Sequence, residues 1–168
     1  CSVDEAGICH FYGHPEEGEK IAKRILRRLK LDNATTDAVC RLVRYHDSNP
    51  VLTAGGVRRA VYRIGQDCFP ALFEVKRADI LAQSDYKRLE KLEALDCYRR
   101  LYDEIMERKE CLSLKELAVS GSDFIAAGIK PGPEIGRALH ALLEIVIEEP
   151  EKNTKEYLMR YTLENLFI

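Results

Sequence analysis

Residues 15–30 read PEEGEKIAKRILRRLK, and this stretch decides the fold class. Its apolar residues recur at intervals of four, which places Ile21, Ile25 and Leu29 on one face of a helix. Strand signals are poor along the rest of the chain, whereas the helical period is strong. We therefore predict an amphipathic α-helix over residues 15–30, with Ala22 and Leu26 beside these three apolar residues.

The same period extends outward from this stretch. It predicts helices over residues 35–46, 57–64, 70–82 and 86–109, and a set of shorter helices after residue 111. Either Asn33 or Thr35 is expected to cap the second helix, because both side chains can accept a hydrogen bond from a first-turn amide. The prediction is an all-α protein in two sections, 1–110 and 111–168.

Length and composition limit the class of protein. The chain has 168 residues, of which 46% are hydrophobic and 32% charged, so it can build a core. No stretch approaches the roughly 20 apolar residues of a membrane span, and the N-terminus does not resemble a signal peptide. Six cysteines without a CxxC pair predict free thiols in a reducing, cytoplasmic environment. Because residue 1 is not Met, we expect a fragment or a processed chain.

Charge is unevenly distributed. The net charge is -2, which excludes a uniformly basic nucleic-acid coat, yet residues 20–63 contain 11 basic and 3 acidic side chains. Five arginines on neighbouring predicted helices are candidates for binding RNA phosphates: Arg24, Arg27, Arg28, Arg58 and Arg59. The alternative is an ordinary set of solvated helix faces, and the sequence leaves both interpretations open.

Three polar residues coincide with or adjoin predicted inner faces. His46 follows Val43, Asp79 follows Leu72 and Val75 at helical spacing, and His14 precedes the first helix. Two imidazoles and a carboxylate can hold a divalent cation such as Mn or Mg. A buried hydrogen bond between His and Asp is the alternative, and we expect Asp79 to be buried and paired in either case.

Five stretches, taken in order, resemble the HD-domain half and the C-terminal region of bacterial tRNA nucleotidyltransferases, the CCA-adding and poly(A) polymerase family. They are GICHFYGHP (7–15), LVRYHD (42–47), VRRA (57–60), VKRADILAQS (75–84) and LAVSGSDFIAAGIKPGPEIG (117–136). The resemblance implies an HD-domain-like helical bundle, incomplete at its N-terminus, followed by a small helical C-terminal section.

The resemblance also implies which parts of the family pattern these residues lack. The strand-rich catalytic head and the His-Asp pair of an HD domain precede this region in the family, so no catalytic residue is expected in this chain and the chain alone should be inactive. By resemblance, His14, His46 and Asp79 are the remaining positions of a divalent-metal cluster in the parent protein.

Three functions follow as expectations. The first is a helical platform that binds tRNA in a tRNA-processing enzyme, in which ATP and CTP are used only by the missing head. The second is part of an HD-type metal-dependent phosphohydrolase acting on phosphomonoesters or cyclic phosphodiesters. The third is a helical module for oligomerisation. In each case we expect a cytoplasmic protein without a membrane partner.

Overall fold

The computed structural model of the chain describes residues 2–3, 9–10 and 13–166. Residues 7–8 and 11–12, which carry part of the first resembling stretch, lie outside the described residues. Over residues 13–166 the chain forms eight α-helices: α1 His14–Arg28, α2 Asn33–Tyr45, α3 Ala54–Ile64, α4 Phe69–Ala82, α5 Arg88–Glu107, α6 Gly121–Ala126, α7 Pro133–Glu148 and α8 Lys155–Asn165. A short antiparallel pair, β1 (Ser2–Val3) and β2 (Cys9–His10), precedes α1. The prediction of an all-α fold is confirmed.

The helices group into two compact units that alternate along the sequence. The first unit comprises Cys1–Asn49 and Ile64–Asp96, and the second comprises Pro50–Arg63 and Cys97–Ile168. The boundary expected at residue 111 falls within the second unit, and the division into domains 1–110 and 111–168 stays a prediction.

In the first unit, α1 packs against α2 through a small residue. A Cβ atom on Gly18 would lie 3.0 Å from Val43 Cγ1, so the absent side chain lets the two helices approach closely. Asp32 caps α2, with its Oδ1 accepting a hydrogen bond from the Thr35 amide at 2.8 Å. The cap is therefore Asp32, one residue before the predicted candidate Asn33.

The apolar residues of α1 are covered unevenly. No residue of α1 is buried, and the row of Ile21, Ile25 and the C-cap residue Leu29 is exposed. The half-buried residues of α1 include Gly18, Ala22 and Leu26, which lie on a neighbouring face. The predicted helix is present, and of its apolar residues Ala22 and Leu26 are covered more than Ile21, Ile25 and Leu29.

The second unit is built around α7. Six of its residues are buried, among them Leu142 and Val146 with no exposed surface, and they form one apolar cluster with Phe124 of α6 and Leu158 of α8. The hydroxyl of Thr162 is buried in α8 and donates to the Leu158 carbonyl at 2.7 Å. The cluster defines the buried face of α7.

A tight approach precedes α3 in the same unit. The Thr53 hydroxyl accepts a hydrogen bond from the Gly56 amide at 3.1 Å. A Cβ atom on Gly56 would lie 2.2 Å from the Val51 carbonyl oxygen, which is closer than any real contact. The loop before α3 therefore requires glycine at position 56.

Two expectations from composition can be compared with the structure. Four cysteines, Cys40, Cys68, Cys97 and Cys111, are free thiols, and all except Cys97 are buried. Burial raises the pKa of the thiols of Cys40, Cys68 and Cys111. Within the part of the chain that the structure describes, no helix is long and apolar enough to cross a membrane.

Candidate nucleic-acid interface and histidine pair

The last two turns of α1 carry an exposed row of cations, which we call the basic ridge: Lys23, Arg24, Arg27 and Arg28. Arg24 and Arg28 are four residues apart and share one side of the helix, with Arg27 adjacent. None of the four forms an ion pair or a hydrogen bond with a described residue. Their cationic groups are therefore open to an anionic ligand.

The N-terminal half of α1 is neutralised, in contrast. Lys20 Nζ lies 2.7 Å from Glu17 Oε1, and Arg44 Nη1 of α2 lies 2.9 Å from Glu16 Oε1. Acidic residues at the start of a helix and basic residues at its end both interact favourably with the helix dipole. The result is a helix whose positive charge is concentrated at one end.

Arg58 occupies a different environment. Its side chain is 7% exposed, and its Nε donates to the Ile147 carbonyl at 2.5 Å. Nη1 donates to Glu110 Oε2 at 2.7 Å, and Nη2 donates to the Glu148 carbonyl at 3.1 Å. The guanidinium thus satisfies carbonyls at the end of α7 that have no partner within that helix. Arg58, one of the candidates for binding RNA phosphates, is thus buried, and its donors are used inside the second unit.

Arg59 is half-exposed and is also paired. Its Nη1 forms an ion pair with Glu148 Oε1 at the end of α7. Of the five arginines suggested by the sequence, Arg24, Arg27 and Arg28 form an exposed set on one helix, whereas Arg58 and Arg59 bind the end of α7.

The structure brings together two of the three candidate metal ligands. His14 Nε2 and His46 Nε2 are 3.1 Å apart, with the rings edge to face at a centroid distance of 4.9 Å. His46 Nδ1 lies 2.7 Å from the Val43 carbonyl, so this nitrogen carries the hydrogen and donates. The Nε2 atom of His46 therefore faces His14 Nε2, and the tautomers of the two rings decide which of them donates.

Asp79 does not join the two histidines. It is half-buried, and its Oδ2 accepts a hydrogen bond from Gln83 Nε2 at 2.7 Å, one helical turn further along the chain. Among residues 13–166, no group of three His, Cys, Asp or Glu side chains is placed to hold a metal ion. The sequence-based expectation was a buried Asp79 paired with His14, His46, a cation or a water. The structure shows a half-buried Asp79 whose side-chain partner is Gln83, one turn away on the same helix.

Sequence reasoning missed Lys76, which is 7% exposed. Its Nζ donates to the His46 carbonyl at 2.8 Å and to the Ser48 carbonyl at 2.6 Å, which joins α4 to the end of α2. Burial lowers the pKa of Lys76, and Asp47 and Asp79 oppose that shift. The signal was its spacing of four residues from Leu72, which places the lysine on the apolar face of α4.

Comparison with known proteins adds to this geometry. Residues 7–162 match the family model described as "tRNA nucleotidyltransferase domain 2 putative". The chain is 36% identical over 145 residues to the CC-adding tRNA nucleotidyltransferase of Thermus thermophilus, which is 86% of this chain and 31% of that protein. It is 31% identical over 135 residues to the CCA-adding enzyme of Limosilactobacillus fermentum, covering 80% of this chain and 30% of that enzyme.

A third relative is named for the addition of A alone. The A-adding tRNA nucleotidyltransferase of Deinococcus radiodurans is 30% identical over 146 residues, which is 83% of this chain and 32% of that protein. No solved structure matches the chain significantly. The chain thus spans less than a third of the length of each of these three relatives. Their names describe three different additions: CC, CCA and A.

Proposed function

Because the chain belongs to the family described as tRNA nucleotidyltransferase domain 2, we propose that it is the tRNA-holding helical part of a tRNA nucleotidyltransferase. In this proposal the basic ridge of α1 contacts the phosphate backbone of the tRNA. The activity of the whole protein, and its use of ATP and CTP, belong to the part that corresponds to the remaining two-thirds of the relatives.

The observation that carries the proposal is the unpaired state of the basic ridge. Exposed cations in proteins commonly find a carboxylate nearby, and Lys20 and Arg44 on the same pair of helices do so. Arg24, Arg27 and Arg28 have no such partner among the described residues. A single helix that presents three arginines at helical spacing suits the closely spaced phosphates of an RNA backbone.

The names of the relatives support a role that is common to different additions. A CC-adding, a CCA-adding and an A-adding protein all match this segment at 30–36% identity. A segment shared by such relatives is suited to a step that they have in common, which is holding the tRNA. The choice of nucleotide then belongs elsewhere in the protein.

The described residues fit a metal-dependent phosphohydrolase less well. His14 and His46 bind each other, Asp79 binds Gln83, and no third ligand joins the histidines among residues 13–166. We therefore derive no hydrolytic step. Titration of the chain with Mn²⁺ tests the point: stoichiometric binding that is lost in His46→Ala would restore the metal site as a candidate.

A cytoplasmic location is part of the same proposal. Addition of nucleotides to tRNA is an intracellular reaction, and the free thiols of Cys40, Cys68 and Cys111 suit a reducing compartment.

The experiment is a binding titration of the purified chain with fluorescein-labelled tRNA, measured by anisotropy at several salt concentrations. The triple variant Arg24→Gln, Arg27→Gln, Arg28→Gln should lose most of the affinity. The slope of log affinity against log salt should become less steep by roughly 0.7–0.9 for each phosphate contact removed.

The matched control removes the same charge from three exposed, ion-paired arginines: Arg77→Gln, Arg99→Gln and Arg137→Gln. This variant should bind tRNA nearly as the unmodified chain does. If both triple variants weaken binding equally, the basic ridge has no special role. If the unmodified chain binds no tRNA at low salt, the proposed function is wrong.

A further inference from the structure

α1 presents a second surface that RNA binding does not use. Ile21, Ile25 and Leu29 follow one another at four-residue intervals, and their exposed fractions are 47%, 38% and 61%. We call these three residues the apolar stripe. They run along about 12 Å of one helix at 1.5 Å per residue. Single exposed apolar residues are common on protein surfaces, whereas a contiguous row marks an interaction site.

The apolar stripe is distinct from the face of α1 that packs within the first unit. That face is marked by Gly18, which contacts Val43 of α2, and by half-buried Ala22 and Leu26. In a helix, Ile21 and Ile25 lie to one side of this packed face. The first unit thus uses one face of α1 and leaves a second apolar face uncovered by described residues.

We propose that the apolar stripe is the docking site for a helix from the part of the family protein that this chain does not include. The relatives match over only 31%, 30% and 32% of their own length, so most of each relative lies outside the matched segment. A row with four-residue spacing is the kind of ridge that fits the groove of a second helix. A partner in the same polypeptide needs only a modest surface, because the connection raises its effective concentration.

The basic ridge borders the apolar stripe without being part of it. Arg28 lies three residues after Ile25, at the edge of the stripe. The docking helix is therefore apolar along the face that meets Ile21, Ile25 and Leu29, and it leaves Arg27 and Arg28 available to RNA. This inference rests on the family membership and on the exposed stripe, and it does not depend on tRNA binding.

The test compares the accessibility of one introduced thiol in two proteins. Ile25→Cys is made in the 168-residue chain and in a full-length chimera, in which this chain replaces the matched segment of the Thermus thermophilus relative. Labelling with N-ethylmaleimide is followed by peptide mass spectrometry, which separates the new thiol from the natural cysteines. Leu163→Cys is the control, because Leu163 on α8 has a similar exposure of 49%.

The expected result is rapid labelling of both thiols in the 168-residue chain. In the chimera, labelling at position 25 should fall by at least about tenfold, while position 163 is labelled as before. Equal labelling of position 25 in both proteins overturns the proposal. Protection in the 168-residue chain itself, together with a dimer in sedimentation velocity, assigns the stripe to a second copy and also overturns it.

A second measurement applies if the chimera shows no cooperative melting transition. The unmatched part of the Thermus thermophilus relative is then added as a separate polypeptide to the 168-residue chain, and complex formation is followed by sedimentation. A complex that is lost in Ile25→Glu and kept in Leu163→Glu supports the proposal. No complex, or equal loss in both variants, contradicts it.

Discussion

Helices α1 and α7 are nearly equal in length, with 15 and 16 residues, and both have an apolar face at helical spacing. α7 buries six residues in the core of the second unit, whereas α1 buries none and exposes Ile21, Ile25 and Leu29. The difference shows that periodicity identifies which face of a helix is apolar but does not establish what covers it. Which residues cover the apolar face depends on other segments of the protein, and some of these segments can lie outside these 168 residues.

The arginines of the two units differ in the same way. Arg27 and Arg28 of α1 have no partner among the described residues, whereas Arg58 binds Glu110 and two carbonyls at the end of α7. Sequence alone counts all three as equal contributions to a positive segment. Burial separates them, because a buried guanidinium must satisfy its donors within the protein.

The largest effect on stability is expected when the buried Arg58 is replaced. Arg58→Ala leaves the Glu110 carboxylate, 10% exposed, without its buried partner. The free energy of unfolding should fall by about 3–5 kcal/mol, as for other broken buried pairs. Urea denaturation measures the change.

Two further variants serve as controls for Arg58. Arg59→Ala, which breaks a half-exposed ion pair with Glu148, should cost about 1 kcal/mol or less. The double variant Arg58→Ala, Glu110→Ala should be more stable than the sum of its two single variants indicates. Strict additivity would show that the two side chains do not interact.

The next prediction compares the loss of stability at a buried residue of α7 with that at an exposed residue of α1. Leu142→Ala removes a side chain with no exposed surface and should cost about 2–5 kcal/mol, whereas Ile25→Ala should change stability by about 0.5 kcal/mol or less. Urea denaturation of the isolated chain provides both values. A comparable loss in Ile25→Ala would mean that the apolar stripe is already covered in this chain.

Alkaline pH tests the α7 core by a different route. Burial raises the pKa of Cys111 from 9.0 to about 11. The unfolded chain therefore loses this proton first, so the stabilisation is complete below pH 9 and is lost between pH 9 and 11, by roughly 2–3 kcal/mol. Unfolding of Cys111→Ala should depend less on pH in this window.

A smaller loss of stability is expected when Lys76 in the first unit is replaced. Lys76→Met removes the donor to the His46 and Ser48 carbonyls and should cost about 1–3 kcal/mol. The neighbouring Arg77→Met, which loses only an exposed ion pair with Asp96, is the control and should be nearly neutral in the same titration. Equal effects would indicate that the lysine contacts do not stabilise the end of α2.

The smallest effect on stability is expected at the basic ridge. Replacing Arg24, Arg27 and Arg28 with Gln should change the free energy of unfolding by about 0.5 kcal/mol or less, since none has a described partner. The same variant should lose most of its tRNA affinity. A large loss of stability would show that these arginines, like Arg58, bind groups within the protein.

Most of the helical fold could be predicted from the sequence, because helical periodicity is a local property. On α7, for example, Ile135, Leu142 and Val146 recur at helical spacing, and all three are buried. Capping was less certain, because Asp32, Asn33 and Thr35 are all suitable types within four residues and only the backbone geometry selects Asp32.

The candidate site was predicted in part. The spacing brought His14 and His46 under consideration, and their side chains do meet. Asp79 satisfies the same spacing rule, but a glutamine one turn away is a nearer partner than a histidine on another helix. Lys76 lies on the apolar face of α4, and its long side chain lets the charge reach carbonyls of another segment. Such tertiary partners cannot be identified from spacing alone.

The contact at Gly56 has a consequence for inheritance. Every missense change in a glycine codon adds at least a Cβ atom, and here that atom would lie 2.2 Å from the Val51 carbonyl oxygen. No amino-acid replacement at position 56 is therefore tolerated unless the preceding loop moves. Among descendants of this gene, drift at position 56 should be confined to synonymous changes, while the exposed glycine at position 136, with open space around it, is free to vary.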